Sequence, residues 1–218
     1  MSDANRPRIL IADDHALVAE ALHKLLQADF DVIGIVHDGR CLVQTAQELR
    51  PDVILVDIGM PLLNGMQAAQ RIKRILPAVK LVYVTINQDP ELVVEAFRRG
   101  ASGYLPKTSA GSELVIAIRT VLKGEIYLSP LLTKNKDGAA RAEHPTVPEE
   151  ATRRILTDRQ LEVLQLLAEG KSMKEVAAVL NLATRTVAFH KYRLMQNLHL
   201  KNDAEVVQYA IRQRIIFD

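Results

Sequence analysis

The first half of the chain alternates between two spacings of its apolar residues. Short, continuous apolar runs are typical of strands that are buried on both faces of a parallel sheet. They occupy residues 8–12, 31–36, 53–56, 81–85 and 102–105. Each run is followed by a stretch with apolar residues three and four positions apart, which is the spacing of a helix. Because right-handed crossovers join strands in such an alternation, the pattern predicts an α/β fold, a doubly wound five-stranded parallel sheet.

The last third of the chain contains only the helical spacing. Apolar stripes predict four helices, which begin near Thr157, Ser172, Thr184 and Ala204. Thr157 and Ser172 are each followed three residues later by Gln or Glu, the capping-box pattern that starts a helix. Residues 181–183 leave room only for a tight turn between the second and third helices. The sequence therefore predicts a small all-α domain that contains a helix-turn-helix.

A polar stretch separates the two patterns. The apolar periodicity stops at Ser129, and residues 134–145 consist largely of charged and small residues. A segment of this composition cannot bury enough apolar surface to fold and is typical of a flexible tether. We therefore expect a first domain at residues 6–124, a flexible linker at 125–152 and a second domain at 153–218.

Charge and composition narrow the classes of function. The net charge is +2, but residues 153–218 hold 11 Lys and Arg against 7 Asp and Glu. This excess suits a polyanionic partner, although an ordinary solvated surface accounts for it equally well. The single Cys41 excludes a disulfide framework and a thiolate zinc site. No apolar run approaches the roughly 20 residues of a membrane helix, and residues 1–6 do not resemble a signal peptide, so we expect a cytoplasmic protein without a membrane partner.

Five polar residues lie at or just beyond the ends of four predicted strands of the first domain: Asp13, Asp14, Asp57, Thr85 and Lys107. The carboxyl ends of parallel strands share one edge of the sheet, where open α/β folds bind ligands. Each residue alone has an ordinary structural role, such as a helix cap or a solvated charge. Together, three carboxylates raise one another's pKa unless a cation fills the site, and oxygen ligands suit Mg²⁺. We expect Asp57 to attack a phosphoryl group that Thr85 and Lys107 hold, with the metal on Asp14 and Asp57.

Residues 6–124 resemble the receiver domain of two-component response regulators. The resemblance rests on the acidic pair, on the motif D-x-x-M-P-x-x-x-G that starts at Asp57, and on Thr85 and Lys107. It implies that Asp57 accepts a phosphoryl group from a histidine kinase, that Lys107 binds this group, and that Thr85 and Tyr104 form a switch pair in which the hydroxyl moves toward the phosphoryl group and the ring turns inward. The implied magnesium ligands are Asp13, Asp14, Asp57 and the backbone carbonyl of Gly59.

The predicted third helix of the last third carries only positive charge, since residues 184–201 contain no Asp or Glu. Such a helix suits the phosphate-lined groove of DNA, although an ordinary exposed helix can be equally basic. Residues 156–211 resemble the LuxR-type helix-turn-helix through the motifs L-T-x-R, E-V-L-x-L-x-A-x-G, K-E-[IV]-A and T-V-x-x-H. The implied DNA-binding residues are Lys174, Arg185, Thr186, His190, Lys191, Arg193 and Lys201. The implied homodimer forms through the fourth helix, at Val206, Val207, Tyr209 and Ala210.

The two resemblances together indicate a response regulator of the NarL/FixJ type, a DNA-binding transcriptional regulator rather than an enzyme. One alternative is an interaction adaptor with weakened or lost DNA binding, because Ala183 and Ala188 stand where that family has a capping Ser and a Lys. A second alternative is an aspartyl-phosphate hydrolase with Asp57 as its nucleophile. That chemistry usually requires a second acid two residues further on, where this chain has Gly59.

Overall fold

The computed structural model describes residues 6–133 and 156–216. The chain separates into two compact units, Met1–Asp137 and Gly138–Asp218. Most of the predicted linker lies between the two described parts. The prediction that residues 134–152 form a flexible tether therefore falls outside the described residues.

The first unit alternates strands and helices along the chain. Its strands are β1 (Arg8–Ala12), β2 (Asp31–Val36), β3 (Val53–Val56), β4 (Lys80–Thr85), β5 (Gly103–Pro106) and β6 (Tyr127–Leu128). Its helices are α1 (Ala16–Leu26), α2 (Gly39–Leu49), α3 (Gly65–Ile75), α4 (Pro90–Arg98), α5 (Ala110–Leu122) and α6 (Pro130–Thr133). The strands form one parallel sheet in the order β2-β1-β3-β4-β5-β6. This order confirms the predicted doubly wound α/β fold, because the chain first adds a strand on one side of β1 and then continues on the other.

Strands β1 and β3 are neighbours in the interior of the sheet. Residues Ile9, Leu10 and Ile11 of β1 and residues 53–56 of β3 expose at most 1% of their surface. Their apolar runs are continuous because helices cover both faces of the sheet. One of the two layers joins Ile9, Ile11 and Leu55 to buried side chains of α1 and α5. This packing holds the carboxyl ends of β1 and β3 side by side.

The sheet has one strand more than the pattern of apolar runs predicts. Strand β6 pairs with β5 at the start of the stretch that we expected to be linker. The Tyr127 amide donates to the Ser102 carbonyl at 3.0 Å, and the Ser129 amide donates to the Tyr104 carbonyl at 3.0 Å. A strand of two residues is too short to produce a periodic signal, so only the backbone pairing reveals it.

The second unit is helical throughout its described part. Its helices are α7 (Asp158–Ala168), α8 (Met173–Leu180), α9 (Thr184–Asn197) and α10 (Asp203–Arg212). Both predicted capping boxes are present, at Thr157 with Gln160 and at Ser172 with Glu175. Asn181 ends α8 in the left-handed conformation (φ 53°), which allows the short turn into α9. Helices α7 and α8 both pack on α9, which confirms the predicted all-α helix-turn-helix.

None of the helices in the described part of the chain is both long enough and apolar enough to span a membrane.

Candidate functional site

The strand-end residues of the first unit converge as predicted. Because β1, β3, β4 and β5 are neighbours in one parallel sheet, the residues that follow them meet at a single edge. The Lys107 ammonium lies 2.6 Å from Asp57 Oδ2 and 2.8 Å from Asp13 Oδ2. The side chains of Asp13 and Asp57 are only 2% and 5% exposed. The edge therefore holds a buried pair of carboxylates bridged by one cation.

At this edge, burial and ion pairing have opposite effects on the pKa values of Asp13 and Lys107. Burial raises the pKa of the Asp13 carboxyl, although the close Lys107 ammonium and the hydrogen bond from the His15 amide act to lower that pKa. Burial also disfavours the charged form of Lys107, but its close contacts with Asp13 and Asp57 prevail, so the pKa of Lys107 is raised. Lys107 is thus held firmly in its charged form, and the cluster keeps an excess of negative charge.

The acidic cluster extends to the protein surface. Ligand atoms of Asp13, Asp14, His15 and Asp57 all lie within 4.8 Å of one another. The His15 ring nitrogen Nδ1 is 2.8 Å from Asp14 Oδ1, and the backbone amide of His15 donates to Asp13 Oδ1 at 2.9 Å. Asp13 Oδ2 contacts Lys107 but receives no well-aligned hydrogen bond from the described residues. Three carboxylates with spare acceptor capacity form a donor set that fits a hard divalent cation such as Mg²⁺.

Gly59 and Gly65 shape the turns beside Asp57. The Gly59 amide approaches Asp57 Oδ1 at 3.5 Å, which is a long hydrogen bond, and Gly59 itself is exposed. A Cβ atom on Gly65 would stand 1.9 Å from the backbone oxygen of Asp57. Position 65 therefore requires glycine, because only a residue without Cβ lets α3 begin directly against the Asp57 backbone.

Thr85 and Tyr104 meet through a residue that sequence analysis missed. The Thr85 hydroxyl accepts a hydrogen bond from the Asn87 amide at 3.3 Å. The Tyr104 hydroxyl donates to the Asn87 carbonyl at 2.9 Å, and its ring is fully buried 6.0 Å from the ring of Tyr83. Asn87 contributes only backbone atoms to these contacts, so its side-chain type carried no signal. The Tyr83 hydroxyl is buried and has no partner among the described residues.

The residues predicted to bind DNA divide into two groups in the second unit. Lys174, Arg185, Arg193 and Lys201 are exposed, and Thr186 is partly exposed at the start of α9. Lys191 instead turns toward α10, where its ammonium lies 2.6 Å from Asp203 Oδ1 and its side chain is only 14% exposed. His190 is partly buried, and burial followed by the charge of Arg159 lowers its pKa. Lys191 is therefore engaged within the unit, and the positive charge of His190 is disfavoured.

The predicted dimer residues on α10 do not share one surface. Val206 and Ala210 are 1% and 0% exposed because they pack inside the second unit. Val207 and Tyr209 are partly exposed. Side chains that fill the core of their own unit cannot also contact a second chain, so the structure narrows the predicted dimer surface to Val207 and Tyr209.

The outward face of α9 carries two aromatic residues that the charge pattern did not indicate. Phe189 is 57% exposed and Tyr192 is 68% exposed. The guanidinium of Arg193 lies 5.7 Å from the centre of the Phe189 ring. Their signal in the sequence was the combination of a basic helix with apolar residues off its buried stripe.

Two family models match the chain, one in each unit. Residues 9–119 match the model of the response regulator receiver domain. Residues 154–210 match the model of the bacterial regulatory proteins of the luxR family.

Known proteins match the chain over nearly its whole length. The oxygen regulatory protein NreC of Staphylococcus aureus is 35% identical over 214 residues, which cover 96% of this chain and 99% of NreC. The response regulator RcsB of Salmonella typhimurium is similar in structure, with a TM-score of 0.56 and 26% identity over 94% of this chain and 98% of that one. A structure of two RcsB dimers bound to two parallel DNAs matches with a TM-score of 0.57 and 26% identity over the same shares of both chains.

Proposed function

The chain belongs to the response regulators that join a receiver domain to a LuxR-type helix-turn-helix, and we propose that phosphorylation of Asp57 controls DNA binding by its second unit. On this proposal the protein is a transcriptional regulator that takes its phosphoryl group from a histidine kinase. The observation that carries it is the contact of Lys107 with both Asp57 and Asp13 at the edge of the sheet.

The chemistry at Asp57 follows from its surroundings. An Asp57 carboxylate oxygen attacks the phosphorus of a phosphohistidine, a P–O bond forms as the P–N bond breaks, and the kinase imidazole takes up a proton. Lys107 is already beside Asp57 and stabilises the oxygens of the transferred group. Asp13, Asp14, Asp57 and the Gly59 carbonyl would hold Mg²⁺, which supplies further positive charge to phosphoryl oxygens.

The response to phosphorylation would begin at Thr85. Its hydroxyl lies at the end of β4 and accepts from the Asn87 amide, while the Tyr104 hydroxyl donates to the Asn87 carbonyl. A shift of the Thr85 hydroxyl toward a phosphoryl group would break one end of this link and free the segment before α4. Phosphorylation thereby shifts an equilibrium between two arrangements of Thr85 and Tyr104.

DNA binding is assigned to α9, which is exposed, free of acidic residues and part of a helix-turn-helix. The proposed DNA contacts are Lys174, Arg185, Thr186, Arg193 and Lys201. Val207 and Tyr209 are the proposed contacts of a homodimer, which two-fold operators require. By similarity, the RcsB structure with two dimers on DNA supports DNA binding by a dimer. A protein that acts on the chromosome of a bacterium works in the cytoplasm.

Intact mass after incubation with a small phosphodonor and Mg²⁺ tests the proposal at Asp57. We expect one added phosphoryl group on the wild-type chain and none on the Asp57→Ala variant. A folded wild-type chain that gains no phosphoryl group contradicts the proposal. We further propose that the protein is not a hydrolase, because Gly59 offers no second acid, so steady turnover of a phosphomonoester would contradict this part.

A second candidate function is an adaptor that binds a protein instead of DNA. It is favoured by the pairing of Lys191 with Asp203 and by the lack of a side-chain cap at Ala183. A mobility-shift assay on genomic fragments separates the two functions. Binding at low salt that weakens steeply as salt rises supports the regulator, because released counterions dominate protein–DNA affinity. No binding at low salt by a phosphorylated chain supports the adaptor.

A further inference from the structure

Helix α9 presents a stripe of exposed residues on one side. This outer stripe consists of Arg185, Phe189, Tyr192, Arg193 and Gln196. The members follow one another at intervals of three and four residues, counted through either Tyr192 or Arg193, and therefore lie on one face of the helix. The face is basic, yet its middle is aromatic.

The Phe189 ring is held in place on the surface of α9. The Arg193 guanidinium lies 5.7 Å from the ring centre on one side. The His190 ring lies 5.7 Å away with its plane turned by 70°, an edge-to-face arrangement. These two neighbours position the ring, and 57% of Phe189 stays accessible. A positioned, exposed aromatic ring is prepared for contact with an apolar group of a partner.

We propose that Phe189 reads the C5-methyl group of thymine in the major groove. The inference rests on the proposed function, in which α9 enters that groove. The thymine methyl is the apolar feature of an A·T pair at the major-groove edge, and Phe is among the side chains that contact it. Arg185 and Arg193 lie one turn to either side of Phe189, where they can reach phosphates or guanine edges. Arg185, Phe189 and Arg193 therefore specify an operator with thymine between flanking charge contacts.

The test replaces thymine by uracil, which removes the methyl group and leaves every hydrogen-bonding atom of the base pair unchanged. The full-length protein, treated with a small phosphodonor and Mg²⁺, first selects duplexes from a random pool at low salt. Each thymine of the selected site is then changed singly to uracil, and the affinity is measured. We expect at least one thymine in each half-site at which uracil weakens wild-type binding about fourfold, the factor for one buried methyl-sized group.

Three variants assign that methyl contact to a side chain. Phe189→Ala should bind thymine and uracil duplexes equally at the sensitive position. Phe189→Leu should retain part of the preference for thymine, because Leu also offers an apolar surface. Tyr192→Ala is the matched control, since Tyr192 is an exposed aromatic residue of the same outer stripe, and it should keep the full preference.

Each outcome decides one question. If no duplex is enriched or bound, the proposed DNA-binding function fails, and with it the basis of the inference. If duplexes bind but uracil is tolerated at every position, the reading of methyl groups by Phe189 is overturned while DNA binding stands. The inference is also overturned if Phe189→Ala keeps the preference or if only Tyr192→Ala removes it.

Discussion

Lys107 in the first unit and Lys191 in the second each form an ion pair, but their partners differ in exposure. Lys107 faces Asp13 and Asp57, whose side chains are 2% and 5% exposed. Lys191 faces Asp203, whose side chain is 75% exposed. Water can replace a lost partner at Asp203, but it cannot easily reach the carboxylates beside Lys107. We therefore expect the same type of contact to contribute more to stability in the first unit than in the second.

The difference reflects what each site has to bind. A buried acidic cluster with a single lysine keeps an excess of negative charge, which favours a divalent metal ion, and the metal ion can then hold phosphoryl oxygens. The outer stripe of α9 is exposed, so its arginines can exchange water for phosphate at little cost. The first unit thus offers buried charged groups to its ligands, whereas the second unit offers exposed ones.

Removal of the two lysines should produce the largest contrast. Lys107→Met leaves two buried carboxylates without their cation and should lower the free energy of unfolding of the first unit by about 3 kcal/mol in metal-free buffer. Lys191→Met should lower that of the second unit by less than about 1 kcal/mol. Urea unfolding followed by hydrogen exchange in peptides of each unit measures both values. Equal losses would contradict the distinction, and added Mg²⁺ should recover part of the loss in Lys107→Met.

The neighbouring tyrosines of the first unit should respond in opposite directions. The Tyr83 hydroxyl is buried without a partner among the described residues, so Tyr83→Phe should raise the free energy of unfolding by about 1 to 2 kcal/mol. The Tyr104 hydroxyl donates to the Asn87 carbonyl, so Tyr104→Phe should lower the free energy of unfolding by about 1 kcal/mol. Urea unfolding tests both expectations, provided that the dependence of the unfolding free energy on urea concentration is the same in the variants and the wild type: the midpoint should rise in Tyr83→Phe and fall in Tyr104→Phe. A loss of stability in Tyr83→Phe would mean that its hydroxyl has a partner.

A missing cap makes the start of α9 a weak point of the second unit. Ala183 occupies the N-cap position without a side-chain hydrogen bond, whereas Thr157 caps α7 through the Gln160 amide. Ala183→Ser should raise the free energy of unfolding of the second unit by about 1 kcal/mol, and Thr157→Ala should lower it by a similar amount. Hydrogen exchange of peptides from α9 and α7 locates each effect. An unchanged exchange rate in α9 of Ala183→Ser would contradict the role of the cap.

The smallest expected effect is the pH dependence from His190. Burial and then the charge of Arg159 lower its pKa in the folded state below the ordinary value of 6.5. Between these two pKa values the unfolded chain binds more protons, so the second unit should gain stability as pH rises toward 6.5 and lose it as pH falls. His190→Gln should flatten the dependence. The same slope in both proteins would show that another group causes it.

Much of the candidate site could be predicted from the polar residues at the ends of the predicted strands. The convergence of Asp13, Asp57 and Lys107 follows from parallel topology, because every parallel strand delivers its last residue to one edge. Asn87 could not be found in this way, since it links Thr85 and Tyr104 through backbone atoms that every residue possesses. The short strand β6 could not be predicted either, because a strand of two residues is too short to show an apolar pattern in the sequence.

The charge pattern alone predicted more DNA-contacting residues on α9 than the structure leaves unpaired within the second unit. Lys191 is basic like Arg185 and Arg193, but it faces Asp203 at the start of α10. An apolar pattern likewise could not separate Val206, which is buried in its own unit, from Val207, which is partly exposed. Both distinctions depend on where α10 packs, which no spacing within a single helix encodes.

The sequence by itself determined the alternation of strands and helices, the capped starts of α7 and α8, and the polar residues at strand ends, because these depend on spacing between near neighbours along the chain. Only the tertiary structure decided which charges are paired. Lys107 and Asp57 are 50 residues apart, and Lys191 and Asp203 are 12 apart on different helices. Whether such residues meet depends on packing and desolvation summed over a whole unit, so their partners, their exposure and their pKa shifts emerge only once the chain is folded.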